Sequence, residues 1–103
     1  MNKVVNLLQQ YISEGQLEKA LLECKKFVKA NPNEIYPLKL LAHIYYLQED
    51  YQPAIENTLK ILEMKSEDFD GNNNIGSYYL KTEQFKKALF YIEKAKKINP
   101  DHP

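Results

Sequence analysis

Few side chains in this sequence belong to the types that carry out catalysis or bind metals. His43 and His102 are the only histidines, and Cys24 is the only cysteine. The sequence contains no Gly-rich phosphate loop, no cysteine pair and no His-Glu pattern of the kind that binds zinc. Cys24 falls on an apolar helical face with no base nearby in the sequence, which predicts a buried, unreactive thiol. We therefore expect no catalytic, cofactor-binding or metal-binding residues, and no enzymatic activity.

Acidic residues occur in pairs where turns and helix starts are expected. Glu49 and Asp50 form one pair, and Glu67 and Asp68 form another. A carboxylate at a helix start is stabilised by the unpaired backbone N–H groups there. A structural role therefore explains both pairs without invoking acid–base chemistry.

Length and composition predict a single folded domain. The chain has 103 residues, 44% of them hydrophobic, and its basic and acidic residues balance at 14 each. Zero net charge argues against a strongly basic nucleic-acid binder, and all the basic residues are lysines, which lack the bidentate fork of arginine. No apolar run reaches the roughly 20 residues that span a membrane, and residues 1–15 lack the pattern of a secretion signal. We expect one domain, residues 1–103, in a cytoplasmic protein that binds neither nucleic acid nor membranes.

The whole sequence repeats with a period of about 34 residues. Ala20, Ala54 and Ala88 share one column of this repeat. Further columns hold Tyr11, Tyr45 and Tyr79; Leu7, Leu41 and Ile75; Leu17, Tyr51 and Phe85; and Leu21, Ile55 and Leu89. The chain therefore divides into three copies, residues 1–34, 35–68 and 69–102.

Each copy carries two segments with the apolar spacing of a helix. In the first copy the spacing runs from Val4 to Tyr11 and resumes at Leu17. Gly15 can supply the left-handed residue that ends the first helix, and Pro32 stops the second. Each copy is thus predicted to be an antiparallel helix pair joined by a short turn.

Two further features refine this prediction. Pro53 favours a helix that starts between Asp50 and Gln52, because proline is tolerated in the first turn. Small residues in the Ala20 column, together with Ala42 and Gly76 on the first helices, predict a close approach of the two helices in each copy.

The period and its columns resemble the tetratricopeptide repeat, whose pattern runs aromatic, Leu-Gly, Tyr, Ala, aromatic and Pro over about 34 residues. The matching residues are Tyr11, Gly15, Leu17, Ala20, Phe27 and Pro32 in the first copy; Tyr45, Tyr51, Ala54 and Ile61 in the second; and Ile75, Gly76, Tyr79, Phe85, Ala88, Ala95 and Pro100 in the third. The resemblance implies an all-α fold: an α-solenoid of three antiparallel helix-turn-helix repeats in a right-handed superhelical stack.

The sequence departs from the family pattern at two places. Val4, Leu38 and Asn72 replace the opening aromatic residue, and Ser66 replaces the closing proline of the second copy. Because asparagine is polar and a poor helix former, Asn72 is expected to loosen the start of the fifth helix.

The resemblance also implies a concave groove, lined by the first helices, that binds a peptide or a partner helix. The corresponding positions are Asn2, Val5, Gln9, Ile12, Tyr36, Lys39, His43, Tyr46, Asp70, Asn73, Ser77 and Leu80. We place the centre of the groove at Tyr36, Lys39, His43 and Tyr46, because tyrosine is enriched at binding hot spots. The two tyrosines could instead cover the core, and His43 could be an ordinary solvent-facing residue.

Two specialisations of this groove can be weighed by residue. The asparagines at 72, 73 and 74 could present amides to a peptide backbone, like the asparagine ladders of some similar superhelical proteins, or could cap and fray a helix start. A clamp for chaperone C-terminal carboxylates, which the family builds from Lys, Asn and Arg, is not expected. Its positions here hold Val5, Gln9, Leu40, Asp70 and Asn74.

The sequence does not decide whether solvent, further sequence or a second copy covers the last helix. Lys96 stands in a column where Val28 and Leu62 are apolar, as expected if the stack ends there in solvent. Leu89, Phe90 and Ile92 would leave apolar surface exposed, as expected if further sequence follows or if the chain forms a weak homodimer through its uncapped last helix. The lysines of this segment, Lys86, Lys87, Lys94, Lys96 and Lys97, fit either a solvated face or an acidic partner.

The sequence therefore predicts a scaffold for protein–protein interaction whose partner is a protein or peptide. One alternative is the interaction segment of a larger enzyme or assembly protein. Another is an RNA-binding helical repeat resembling the pentatricopeptide family, which the period and the neutral charge disfavour.

Overall fold

The computed structural model describes the backbone of residues 2–101 and the side chains of residues 3–101. Six helices account for the regular structure in this range: α1 (Asn2–Ser13), α2 (Leu17–Ala30), α3 (Ile35–Leu47), α4 (Tyr51–Met64), α5 (Phe69–Lys81) and α6 (Phe85–Ile98). Successive helices pack against each other along the chain. The prediction of an all-α fold built from three helix-turn-helix pairs is confirmed. None of the six helices in this range combines the length and apolar character needed to cross a membrane.

A residue in the left-handed conformation closes the first helix of every pair, at the same position of the repeat. Gly15 has a φ of 73°, as predicted, and Glu49 and Glu83 occupy the equivalent positions with φ of 60° and 59°. The next residue then donates its backbone N–H to the carbonyl of the repeated tyrosine column, at 2.8 Å from Gln16 to Tyr11. This hydrogen bond, from the N–H of one residue to the carbonyl five residues earlier, is typical of a Schellman helix end.

The two helices of each pair approach closely because their contact residues are small. Ala20, Ala54 and Ala88 are each fully buried. A β-carbon added to Gly76 would lie 2.6 Å from Cγ1 of Ile92 on α6, so only glycine fits there without movement. The predicted close approach is confirmed.

Two apolar clusters make up the core, and each spans a junction between pairs. The first joins α1 and α2 to α3 through buried residues that include Leu8, Phe27 and Ile44. The second joins α4 to α5 and α6 and includes Ile55, Ile75 and Tyr78. Every pair therefore buries part of its apolar surface only against its neighbour.

Cys24 lies inside the first cluster and is fully buried. Its Sγ lies 3.6 Å from the carbonyl oxygen of Pro37 on α3. Burial raises the pKa of the Cys24 thiol to about 12. The predicted burial of the thiol is confirmed, and the raised pKa disfavours the reactive thiolate.

Asn72 does not loosen the start of α5, and that prediction is wrong. Its side chain is fully buried, and its Nδ2 donates to the carbonyl oxygens of Ser66 at 3.0 Å and Asp68 at 2.8 Å. The carboxylate of Asp68 in turn accepts from the N–H of Gly71 at 2.8 Å. Asn72 thus binds the turn between α4 and α5 to the first turn of α5, because its amide finds the carbonyl oxygens that an apolar residue would leave without this partner.

The left-handed turn column yields a stability prediction. Replacing Glu49 or Glu83 by glycine removes the steric cost of a side chain at positive φ, so we expect each change to raise the free energy of unfolding by about 0.5 to 1 kcal/mol. Gly15→Ala should lower it by about 1 kcal/mol through the backbone alone, because no atom lies within 4 Å of the added β-carbon. Urea denaturation measures both effects. Glu56→Gly, in the right-handed interior of α4, is the control and should destabilise by about 1 kcal/mol; destabilisation of similar size at Glu49 would contradict the argument.

The buried amide of Asn72 yields a second prediction. Asn72→Ala removes both donated hydrogen bonds and leaves the carbonyl of Ser66 without this partner, so we expect a loss of about 1 to 3 kcal/mol in the free energy of unfolding. Asn73→Ala is the matched control, because the neighbouring amide is exposed and should change stability by less than about 0.5 kcal/mol. Equal effects of the two substitutions in thermal unfolding would show that the Asn72 amide does not anchor the turn.

Candidate functional site

The first helices of the three pairs, α1, α3 and α5, carry the row of predicted groove residues. The side chains of Gln9, His43, Asn73 and Ser77 are exposed. Tyr36 and Leu80 are also exposed, at 45% and 46%. The side chain of Asn2 lies outside the described residues. The accessible part of the row is therefore mixed in polarity and extends over all three pairs.

Val5 and Ile12 are less accessible than the rest of the α1 row. Both are partly buried and pack against the first core cluster. They contribute apolar surface at the edge of the row but do not project freely from it.

Lys39 and Asp70 are brought together by an ion-pair network between the second and third pairs. The Nζ of Lys39 lies 3.2 Å from Oδ1 of Asp68 and 3.3 Å from Oδ2 of Asp70. Asp68 is buried and also caps α5, whereas Asp70 is exposed. Lys39 therefore links α3 to the start of α5 and has its charge balanced within the chain.

Asp68 belongs to this ion-pair network, and the sequence analysis did not place it there. The sequence places it in an acidic pair at a helix start, which the structure confirms through its cap on Gly71. Its second role, as a partner of Lys39 from the preceding pair, spans 29 residues. No local pattern marks such a distant contact.

Tyr46 packs between pairs and does not project freely from the row. Its ring centroid lies 5.4 Å from that of Tyr78 on α5 and 5.9 Å from that of Tyr51 on α4. Burial, and secondarily the nearby Tyr46 hydroxyl, raise the pKa of Tyr78 to about 12. The four residues chosen as the centre of the groove therefore differ in kind: Tyr36 and His43 are open to solvent, while Lys39 and Tyr46 join neighbouring pairs.

Tyr36 lines a hollow at the start of α3. The hollow is bordered by Phe27 and Pro37 and by the exposed Met64 of α4. His43 lies two helical turns further along α3, about 10 Å away along the axis. A ligand that contacts both must therefore run along α3.

Only two of the three consecutive asparagines can face a ligand. Asn73 and Asn74 are exposed, whereas the amide of Asn72 is fully buried and bound to the backbone. A ladder that includes Asn72 is excluded. Leu47, at 39% exposed, follows Tyr46 at the end of α3 and adds apolar surface that the sequence analysis did not include.

Within residues 3–101 no three His, Cys, Asp or Glu side chains are grouped closely enough to hold a metal ion. Cationic side chains contact aromatic rings instead. Lys87 lies 5.6 Å from the ring centroid of Tyr79, and Lys25 lies 6.0 Å from that of Tyr45. The surface of the described residues carries aromatic rings, amides and paired charges.

Residues 69–102 match the family model described as tetratricopeptide repeat. These residues form a tetratricopeptide repeat. The model covers the range of the third sequence copy, and the six helices correspond to about three repeats. The solenoid architecture is supported by structural neighbours of high similarity over nearly the whole chain.

Two of these neighbours illustrate the likeness. The first tetratricopeptide domain of Spaghetti (RPAP3), bound to the HSP90 peptide SRMEEVD, has a TM-score of 0.89 and 13% identity, covering 96% of this chain and 79% of that one. MamA from Desulfovibrio magneticus RS-1 has a TM-score of 0.89 and 26% identity, covering 96% of this chain and 56% of that one. Because the identity to RPAP3 is low, the structural likeness shows a shared fold and nothing more.

Two proteins show similarity in sequence over most of the chain. This chain is 33% identical over 94 residues to the signal recognition particle receptor FtsY of Aquifex aeolicus, and the match covers 91% of this chain and 18% of that protein. It is 29% identical over 99 residues to the CTR9 homolog of Arabidopsis thaliana, covering 92% of this chain and 9% of that protein. The repeats thus span less than a fifth of the length of either relative.

The tyrosine contact between pairs yields a pH prediction. Burial raises the pKa of Tyr78 from its ordinary 10.0 to about 12 in the folded chain. Between these pH values the unfolded chain binds fewer protons than the folded one, so rising pH favours unfolding. We expect stability to be retained below about pH 8 and to begin to fall as the pH approaches 9.0, the ordinary pKa of the Cys24 thiol. Tyr78 should contribute a further loss of about 2 kcal/mol by about pH 12.

Urea denaturation at several pH values between about 8 and 11 tests this dependence. Tyr78→Phe should give a shallower loss of stability with pH. Tyr36→Phe is the control, because the ring of Tyr36 is exposed, and it should leave the slope unchanged. An unchanged slope in Tyr78→Phe would show that this hydroxyl does not contribute.

Proposed function

We propose that this chain is an interaction scaffold that binds a peptide segment or a helix of another protein along α1, α3 and α5. We also propose that residues 1–103 act as one domain of three repeats, 1–34, 35–68 and 69–102. The carrying observation is the row of exposed side chains on the first helices, which crosses all three pairs and combines tyrosine, leucine and amides. The peptide bound by the RPAP3 domain supports a binding role for this fold.

The charges of the row favour a ligand that is not strongly acidic. Lys39 is already paired with two carboxylates, and Asp70 is exposed beside it. An acidic peptide such as the one bound by RPAP3 would have to displace these carboxylates from Lys39, and Asp70 would repel it. We therefore infer a ligand whose affinity comes from apolar and amide contacts with Tyr36, Leu80 and Asn73.

A second proposal concerns the setting of the domain. Both sequence relatives are much longer proteins, of which the repeats form a small part. This supports a role as the interaction segment of a larger enzyme or assembly protein. In either setting the same row would make the contact.

The test begins with selection of a peptide from a displayed random library on the purified chain, followed by fluorescence anisotropy with the selected peptide. Tyr36→Ala with His43→Ala should weaken binding at least about tenfold, because an exposed tyrosine at a binding centre is a common hot spot. Lys39 and Tyr46 are poor choices for this test, because their substitution also disturbs the contact between pairs. Circular dichroism checks that helicity is retained.

Leu22→Ala is the matched control, since Leu22 is 59% exposed on α2 and lies outside the row. It should bind the peptide like the unaltered chain. Equal affinity of the Tyr36 and His43 variant and the unaltered chain would contradict the assignment of the row.

A further inference from the structure

The outer face of α6 exposes apolar residues whose counterparts in the preceding repeats are buried or partly buried. Phe85 and Leu89 are 61% and 57% exposed, whereas Ile55, which corresponds to Leu89, is buried at 2%. The equivalent Leu21 is partly buried against the first core cluster. We call Phe85, Leu89, Ile92 and Lys96 the α6 strip, since they lie on one side of the helix at spacings of three and four residues. Ile92 is partly buried, because it also packs against α5 at Gly76, and only the rest of its side chain contributes to the strip.

Charge opposes covering this strip by the first helix of a second copy. A β-carbon on Gly71 would lie 2.9 Å from Cδ2 of Leu62, so these two positions meet where one repeat stacks on the next. By the period of the sequence, Leu62 corresponds to Lys96 and Gly71 corresponds to the exposed Lys3. Head-to-tail stacking of two copies would therefore bring Lys3 against Lys96.

The rest of α1 also lacks the residues that fill the internal junctions. Ile44 and Tyr78 are buried at 0% and 5% where their repeats meet the preceding one. The corresponding residue of α1 is Gln10, which is exposed. A polar side chain at this position does not replace the apolar contact, so open-ended growth by head-to-tail stacking is disfavoured.

The lysines of α6 do not all oppose self-association. Lys87 lies over the ring of Tyr79, and the Nζ of Lys94 lies 3.9 Å from Oε1 of Glu67. Both therefore face partners within their own chain. Of the remaining lysines, Lys96 belongs to the α6 strip, and Lys86 and Lys97 lie on its flank, on the same side of the helix as Glu93.

We propose that the α6 strip binds the same strip of a second copy, with the two helices antiparallel about a twofold axis. In this arrangement Phe85 lies opposite Lys96 of the partner subunit, and Leu89 lies opposite Ile92 of the partner subunit. Each contact occurs twice, as twofold symmetry requires. The strip thus complements itself through a cation on an aromatic ring at both ends and apolar contact in the middle.

The flank of the strip supports the same arrangement. Lys86 and Glu93 lie on one side of α6, seven residues apart and thus about two helical turns. In the antiparallel pair Lys86 comes within about 3 Å, along the axis, of Glu93 of the partner subunit. Lys86 of each subunit then forms an ion pair with Glu93 of the partner subunit, and both α6 strips are covered.

Sedimentation velocity on the full chain tests the proposal at concentrations from about 10 µM to about 1 mM, the range of a weak complex. The mass should rise from 12.1 kDa towards twice that value and no further. Leu89→Glu should weaken the association at least about tenfold, because it places a charge in the middle of the strip. Leu22→Glu is the matched control: Leu22 is 59% exposed on α2, outside the strip, and its substitution should leave association unchanged.

Charge exchange distinguishes this pairing from nonspecific contact. Lys86→Glu and Glu93→Lys should each weaken the dimer by about threefold or more, and the double variant should restore it, since each single change sets like charges against each other. Circular dichroism confirms folding, and Leu89→Ser replaces Leu89→Glu if the latter unfolds. The proposal would be overturned if the chain stays monomeric throughout or assembles beyond a dimer. It would also be overturned if association survives the substitution of Leu89, or if the double variant does not restore the dimer.

Discussion

The close approach of the two helices in each pair is the contact on which the structure depends. Ala20, Ala54 and Ala88 are fully buried at this contact, and Gly76 lies so near Ile92 that a β-carbon would collide. Larger residues there would separate the helices and remove the packing that shapes the face seen by the next repeat. Because each pair completes its core only with its neighbour, a displacement of the helices in one pair would also disturb the packing of the next.

The two junctions between pairs use different chemistry. The first is apolar, with Cys24, Phe27 and Ile44 in one cluster. The second adds polar contacts to its apolar cluster: Lys39 reaches Asp68 and Asp70, and the buried Asn72 holds the turn before α5. These polar groups specify how the third pair sits on the second, since each has only a few acceptable partners.

Local sequence patterns predicted the helices because their causes are local. Apolar spacing, Gly15 at positive φ and the alanine column all act within one helix pair. The functional row was harder to predict, because exposure and contact between pairs decide it. Tyr36 and Tyr46 are the same residue type on the same helix, yet one is open to solvent and the other packs against Tyr78. Asn72 shows the same limit, since the backbone oxygen atoms that it binds become available only when the turn has formed.

The sequence by itself determined the period, the helix pairs, the small residues that let the helices meet and the absence of a charge excess, because these follow from residue type and spacing along the chain. Tertiary structure alone decided that Lys39 is paired with Asp68 and that Asn72 is buried and bonded. The physical reason is that burial and pairing depend on the neighbour that packing supplies. For Lys39 that neighbour lies about one repeat away in the chain, and for Asn72 it is a turn whose carbonyl oxygens become available only when the chain has folded, so local pattern reveals neither.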